Sequence, residues 1–251
     1  MLTIENLRKS FGGVAAMNGV SLHFDAGSLT AVIGPNGAGK TTFFNLITGA
    51  FRADAGRVML GGEDLAGLQA PEIVRRGIGR AFQIASIFPS LTVRETILGA
   101  VNAHRGWYAK LRRRFPLAEA RSQADEVMEL VGLEARAATL SGNLSHGDQK
   151  LLDIALALAL QPRVLLLDEP TAGMGSEERW QMIETVHQLW QRKPLTLIFI
   201  EHDMDIVFKF AQTIRVLSYG TVLAEGSPEE VRRNPKVIEA YLGAKYDAEH
   251  A

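Results

Sequence analysis

Short apolar runs separated by glycine turns dominate both ends of the chain. Near the N-terminus, strand-like segments within residues 2–24 precede the apolar, β-branched run at 29–33. Towards the C-terminus, the apolar runs at 164–167, 196–200 and 214–217 alternate with helical stretches. Because alternating strands and helices are typical of a mainly parallel sheet, the two ends predict a single α/β core.

The middle of the chain has a helical period instead. The clearest helical face there is formed by Ala120, Ala124, Val127, Met128 and Val131. We therefore expect an α-helical subdomain at about 84–161, inserted into a core made of residues 2–83 and 162–242. Residues 243–251 show no pattern and are predicted to fray.

Composition excludes several classes of function. The 27 Lys and Arg residues almost balance the 28 Asp and Glu residues, so no overall field attracts nucleic acid or anionic lipid. The absence of cysteine excludes disulfides and thiolate metal sites, and it favours a cytoplasmic location. The longest apolar run, at 154–160, is far shorter than the roughly 18–20 residues that cross a bilayer. We expect any membrane role to depend on another subunit.

A glycine-rich segment follows the buried strand at 29–33 and matches the pattern GxxxxGK[S/T]. In this pattern backbone N–H groups wrap phosphates, the lysine neutralises their charge and a hydroxyl binds Mg²⁺. The flanking strand and helix are the context that the pattern requires. The predicted nucleotide-binding residues are Gly34, Pro35, Asn36, Gly37, Ala38, Gly39, Lys40, Thr41 and Thr42.

Polar residues follow two further apolar strands, where ligands gather in an open α/β sheet. Asp168 and Glu169 come after 164–167, and His202 comes after 196–200. Asp168 is suited to hold Mg²⁺ through a water, and Glu169 to polarise the water that attacks the γ-phosphorus. A lone histidine is more often structural, so these residues alone leave the role of His202 open.

The string Leu-Ser-His-Gly-Asp-Gln at 144–149, about twenty residues before Asp168, resembles the LSGGQ signature of ABC ATPases. Together with the phosphate loop, Gln83, the acidic pair and His202, it gives the ordered motif set of that family over about 2–242. The resemblance implies an α/β P-loop NTPase (RecA-like) core with an N-terminal antiparallel β subdomain and an inserted α-helical subdomain.

The same resemblance implies specific roles. Phe11 would stack on adenine, Gln83 would reach Mg²⁺ and the attacking water, and His202 would contact the γ-phosphate. Thr41 and Asp168 would hold Mg²⁺, with Glu169 as catalytic base. The signature residues Ser145, His146 and Gly147 would bind ATP held by a second copy, since they begin a helix. ATP would then lie between two subunits that separate on hydrolysis.

Three positions depart from the family pattern. His146 replaces the first glycine of the signature, Asp148 replaces its glutamine, and Gly175 stands where many relatives carry aspartate. The contacts across the subunit boundary are therefore expected to differ in strength. Lys40 and Glu169 are both present, so we expect the site to be catalytically active.

Within the ABC ATPases, the segments at 9–13, 80–83 and 234–243 resemble the branched-chain amino-acid uptake family, with urea and amide uptake ATPases as neighbours. The resemblance implies a second ATPase subunit, either identical or a paired paralogue. It also implies two membrane permeases, a periplasmic substrate-binding protein that acts indirectly, and a position on the cytoplasmic face of the membrane. No nucleic-acid partner is expected.

Other interpretations stay open on the residues alone. A soluble ABC machine would usually carry coiled-coil insertions, zinc cysteines or tandem cassettes, and a small-molecule kinase would not need the signature. A regulator that binds nucleotide without turnover is the third alternative. Apolar residues between Ile84 and Leu91, including Phe88, predict either a groove for a membrane subunit or plain core. The basic stretch at 110–114 is interpreted as a solvated helix end.

Overall fold

The computed structural model describes residues 1–81, 88–105 and 118–241, and its strands form two sheets. Gln83, residues 84–87, the basic stretch at 110–114 and the tail at 243–251 lie outside the described residues. The expectations for them stay predictions. Within the described ranges, no helix has both the length and the apolar character needed to cross a membrane.

The first sheet contains four antiparallel strands in the order β2-β1-β4-β5. They are β1 (Leu2–Phe11), β2 (Val14–Phe24), β4 (Ala55–Leu60) and β5 (Glu63–Asp64). A tight turn at Gly12 and Gly13, whose φ values are 53° and 87°, joins β1 to β2 because glycine adopts positive φ without steric cost. The predicted N-terminal antiparallel β subdomain is confirmed.

The second sheet contains six strands in the order β10-β9-β3-β8-β7-β6. All neighbouring pairs are parallel except β9 and β10, which form an antiparallel pair. The strands are β3 (Leu29–Ile33), β6 (Ile78–Ala81), β7 (Val164–Asp168), β8 (Thr196–Ile200), β9 (Thr213–Ser218) and β10 (Thr221–Gly226). Sequence therefore predicted the mainly parallel core correctly.

Two apolar clusters cover the two faces of this sheet. Along β7, Leu165 and Leu167 pack into one cluster while Val164 and Leu166 pack into the other. Successive side chains of a strand point to opposite faces, so a strand covered on both sides must be apolar throughout. This explains why the strand is a continuous apolar run rather than an alternating one.

Helices cover the sheet and form the middle of the chain. The helices before and after the middle of the chain are α1 (Lys40–Ile47), α2 (Ala70–Arg75), α6 (Ser176–Arg192), α7 (Met204–Phe210) and α8 (Pro228–Arg232). The middle of the chain contains α3 (Val93–His104), α4 (Ala118–Val131) and α5 (His146–Ala159), which pack on one another. The predicted helical face of α4 is buried in the larger cluster. The subdomain boundaries at 84 and 161 stay predictions.

We expect Leu166→Ala to lower the free energy of unfolding by about 2–5 kcal/mol, because Leu166 is fully buried and its truncation leaves a cavity in the core. Urea denaturation followed by circular dichroism measures this change. Val14→Ala is the control: its side chain is 71% exposed, and the expected change is below about 0.5 kcal/mol. Equal losses for both variants would contradict the two-faced core.

Candidate functional site

Parallel pairing brings three polar segments to one edge of the sheet. Val32 on β3 pairs with Ile200 on β8, and Ile200 pairs with Asp168 on β7. The loop after β3, the acidic pair after β7 and His202 after β8 therefore leave the sheet side by side. The register of the three strands thus brings these segments to the same edge of the sheet.

Only glycine fits at two positions of the loop at 34–39, because a Cβ atom there would clash with neighbouring atoms. A Cβ atom on Gly34 would lie 2.1 Å from the Leu217 carbonyl oxygen. At Gly39, φ is 100° and a Cβ atom would lie 2.3 Å from the Met17 Cε atom. Because β9 and β2 press against the loop there, no larger residue fits at these two positions, and the loop leads directly into the N-terminus of α1, a position suited to bind an anion.

Lys40, at the start of α1, places its ammonium group inside this loop. Its Nζ atom donates to the carbonyl oxygens of Gly34 at 2.7 Å and Pro35 at 3.1 Å. Burial lowers the pKa of Lys40, and the nearby carboxylates of Glu169 and Asp168 oppose that shift. The positive charge of the loop thus lies within the field of the acidic pair.

Asp168 is buried, and its carboxylate forms an ion pair with Arg80 on β6. The Nη2 atom of Arg80 lies 2.5 Å from Asp168 Oδ2, and its Nη1 atom donates to Asn45 Oδ1 on α1 at 2.6 Å. The two side chains are 8% and 4% exposed, so the charge of Asp168 is compensated within the protein. Arg80 therefore connects β6, β7 and α1.

Glu169 is held from several directions. Its φ is 50°, a left-handed conformation that is uncommon for residues other than glycine. The backbone N–H donates to the Ile200 carbonyl oxygen at 3.1 Å, and the side-chain Oε1 atom lies 2.8 Å from His202 Nε2. The structure thus brings Glu169 and His202 together as a pair aimed past the ends of β7 and β8.

The signature residues begin α5, as the sequence predicts. Ser145 is the N-cap, and its hydroxyl accepts the backbone N–H of Asp148 at 3.1 Å. His146 Nε2 lies 3.2 Å from the Ala172 carbonyl oxygen, and Asp148 forms an ion pair with Arg136 at 3.6 Å. The side chains of His146 and Asp148, which both depart from the family pattern, therefore make contacts within the same chain.

The signature and the phosphate loop are not bonded to each other within one chain. In the part of the chain that the structure describes, no hydrogen bond or ion pair joins Ser145 or Gly147 to residues 34–42. This separation agrees with a role of the signature towards another copy, which stays a prediction.

Phe11 lies at the tip of the β1–β2 hairpin and is 43% exposed. Its ring contacts Phe51 edge-to-face with centroids 5.3 Å apart, and Lys9 Nζ lies 5.4 Å from the ring centroid. A half-exposed aromatic ring next to a cation is suited to stack on a purine, but its predicted contact with adenine is a proposal.

Sequence reasoning gave no role to several buried or partly buried residues beside the site. Glu201, after β8, accepts the N–H and hydroxyl of Thr171 at 3.0 and 2.6 Å. Lys150 on α5 is 4% exposed and reaches the loop after β7. Tyr241 contacts the Gly34 backbone, and burial raises its pKa to about 12. Lys150 directly follows the polar pair Asp148 and Gln149, so the sequence carried no signal that it would be buried.

The oxygen donors at the site suit Mg²⁺. The hydroxyl of Thr41 and the carboxylate of Asp168 are hard ligands, and Mg²⁺ usually takes one or two such protein ligands and completes its shell with phosphates and water. The described part of the chain has no group of three or more His, Asp or Glu residues that could hold a metal by itself. The arrangement therefore fits a metal that arrives with a phosphate ligand.

Comparison with known proteins gives the family. The ABC transporter model matches residues 17–172, and the model for the branched-chain amino acid ATP-binding cassette transporter matches 221–247. The chain is 39% identical to the high-affinity branched-chain amino acid transport ATP-binding protein LivG of Salmonella typhimurium, over 97% of this chain and 98% of that protein. It is 37% identical to the corresponding protein BraF of Pseudomonas aeruginosa, over 97% and 98%.

Solved structures agree with this. The fold is similar to an ATP-binding cassette of an ABC transporter in its ADP conformation, with a TM-score of 0.84, 32% identity, and coverage of 97% of this chain and 98% of that one. It is also similar to a dimeric cassette in a post-hydrolysis state bound to ADP and Pi, with a TM-score of 0.76, 27% identity, and coverage of 91% and 99%. The fold predicted from sequence is confirmed, and the chain belongs to the ATP-binding cassettes of the ABC transporter family.

Proposed function

We propose that this chain is the ATP-hydrolysing motor subunit of an importer for branched-chain amino acids. The observation that carries the proposal is the convergence of Lys40, Asp168 and the Glu169–His202 pair at one edge of the sheet. The relatives named for branched-chain amino acid transport support the substrate, as does the C-terminal match at 221–247.

Each residue has a distinct part in hydrolysis. The loop at 34–39 and the ammonium group of Lys40 bind the phosphates of ATP, while Thr41, Gln83 and, through a water, Asp168 would hold Mg²⁺. A bound Mg²⁺ would supply positive charge opposite the transferred phosphoryl group. Glu169 takes a proton from the attacking water as the water oxygen bonds to the γ-phosphorus, and the bond from that phosphorus to the ADP oxygen breaks, which releases ADP and phosphate. The hydrogen bond from His202 keeps the Glu169 carboxylate aimed at that water.

A second copy or a paired paralogue completes each site. The N-terminus of α5, with Ser145, His146 and Gly147, faces a γ-phosphate held by the other subunit, because backbone N–H groups there bind anions. ATP binding then closes the dimer and hydrolysis opens it. The dimeric cassette bound to ADP and Pi supports this arrangement.

The dimer works with partners that span the membrane. Two permease subunits, fed by a periplasmic substrate-binding protein, place this subunit on the cytoplasmic face. Three exposed apolar side chains support this contact: Phe88 is 61% exposed, Leu91 is 38% and Leu140 is 42%. A urea or amide importer is the second candidate, since the residue sequence of the signature at 144–148 and the methionine at Met174 also resemble those ATPases.

Replacing the catalytic base separates a motor from a passive binder. We expect Glu169→Gln to bind MgATP but to lose at least about 100-fold in kcat, since removing the positioned base costs that much. The trapped ATP should hold two copies together, which size-exclusion chromatography with ATP measures. Lys40→Ala is the control and should give neither turnover nor dimer. An unchanged elution volume for Glu169→Gln with ATP would contradict the proposal.

Replacing Phe88 tests the contact with the permease. We expect Phe88→Asp to leave ATP hydrolysis by the isolated subunit within about twofold, because an exposed side chain outside the nucleotide site makes no contact in the transition state. Uptake of labelled leucine by cells carrying the variant should fall strongly. The exposed Val14→Asp variant should leave uptake unchanged. Uptake at the wild-type rate with Phe88→Asp would show that this surface does not couple to transport.

A further inference from the structure

Lys150 connects the signature helix to the catalytic glutamate of the same chain. It lies five positions after Ser145, the N-cap of α5, and it is 4% exposed. Its Nζ atom donates to the backbone carbonyl oxygen of Glu169 at 3.0 Å. A single side chain thus spans the two segments that the proposed function assigns to different ATP molecules.

The carbonyl group that Lys150 contacts belongs to a backbone that needs support. Glu169 has a φ of 50°, which is disfavoured for a residue with a Cβ atom. The N–H of Glu169 donates to Ile200, and its carbonyl oxygen also accepts the N–H of Ala172 at 3.1 Å. Because φ and ψ at this position set the direction of the Glu169 side chain, a bond to this carbonyl affects where the carboxylate points.

Negatively charged side chains surround the ammonium group of Lys150 and favour its position beside Glu169. Four carboxylates act on its ammonium group, in the order Glu201, Glu169, Asp153 and Asp168, while burial lowers its pKa. Buried charges persist when they are paired, and these acids come from three elements of the site. Removing the ammonium group therefore alters the field and the hydrogen bond at Glu169 together.

We propose that Lys150 is a positioning residue that transmits the state of the signature helix to Glu169 in the same chain. This inference rests on the proposed function, in which the first turn of α5 binds ATP held by the partner. When α5 engages that ATP, Lys150 moves with the helix and fixes the Glu169 backbone at the chain's own ATP. Each half of the dimer thereby makes hydrolysis at one ATP depend on closure around the other.

The alternative is that Lys150 only balances buried negative charge. The two roles differ in what they change, because charge balance affects folding, whereas positioning affects the chemical step. Lys150→Met keeps a long unbranched side chain but has no donor, and Lys150→Arg keeps a charge and donors. Lys193→Met is the matched control, since Lys193 pairs with Glu126 on the surface.

The experiment measures MgATP hydrolysis by the full chain, binding of a fluorescent ATP analogue, and the melting temperature. We expect Lys150→Met to lower kcat at least about 10-fold while KM and analogue affinity stay within about twofold. Lys150→Arg should recover at least about half of the wild-type kcat, and Lys193→Met should match the wild type. In a Glu169→Gln background, Lys150→Met should still dimerise with ATP, because Lys150 is buried against Glu169 of its own chain.

A wild-type kcat in folded Lys150→Met would overturn the inference, and so would a lowered melting temperature with kcat unchanged in the folded fraction. If Lys150→Met is too unstable to assay, Lys150→Leu, which also has no donor, takes its place, and the same loss of kcat at constant KM is expected. Failure of the proposed function looks different: wild-type protein would then show no turnover above Lys40→Ala, and the Lys150 variants would have no activity to lose.

Discussion

The register of β3, β8 and β7 is the constraint on which the site depends. Neighbouring strands lie about 4.8 Å apart, so parallel strands in register deliver the residues that follow them to a narrow edge. Val32, Ile200 and Asp168 are consecutive partners across this sheet. A shift of β7 by one residue would move Asp168 away from Arg80 and would reverse which face each leucine covers.

The site concentrates charge where the core is most apolar. The side chains of five charged residues at or near the carboxyl-terminal edge of the parallel sheet are each below a tenth exposed: Lys40, Arg80, Lys150, Asp168 and Glu201. Such charges are costly to bury unless they pair, and burying them gives little net stability even when they do. The apolar clusters on the two faces of the sheet supply the stability instead. Mutual neutralisation keeps the cations and acids close enough to act on a phosphate.

Sequence predicted the parts of the site that are local. The phosphate loop, the acidic pair at 168–169, His202 and the N-cap Ser145 each depend on a strand or helix end that a short window of sequence specifies. The mainly parallel sheet followed from apolar runs and turns for the same reason, whereas the separate antiparallel sheet was implied by the family resemblance. Gln83 and the N-terminal edge of the helical subdomain lie outside the residues that the structure describes. The role of Gln83 and the subdomain boundaries therefore remain predictions.

Contacts between distant segments could not be predicted. The partner of Arg80 is 88 positions away, and Lys150 reaches a carbonyl 19 positions later. Helical periodicity identifies α5 as amphipathic but does not say what its polar side chains contact. The replacement of glycine by His146 was visible in the sequence, whereas its contact with the Ala172 carbonyl required the packing of α5 against the loop after β7.

The central claim is that one ATP is bound by the phosphate loop of one copy and the signature helix of another. The most direct measurement is the structure of the Glu169→Gln protein grown with ATP and Mg²⁺. The account predicts the γ-phosphate between Lys40 of one protomer and Ser145 of its partner. A γ-phosphate at Lys40 with no second protomer against it, or a nucleotide bound away from the loop at 34–39, would contradict the account.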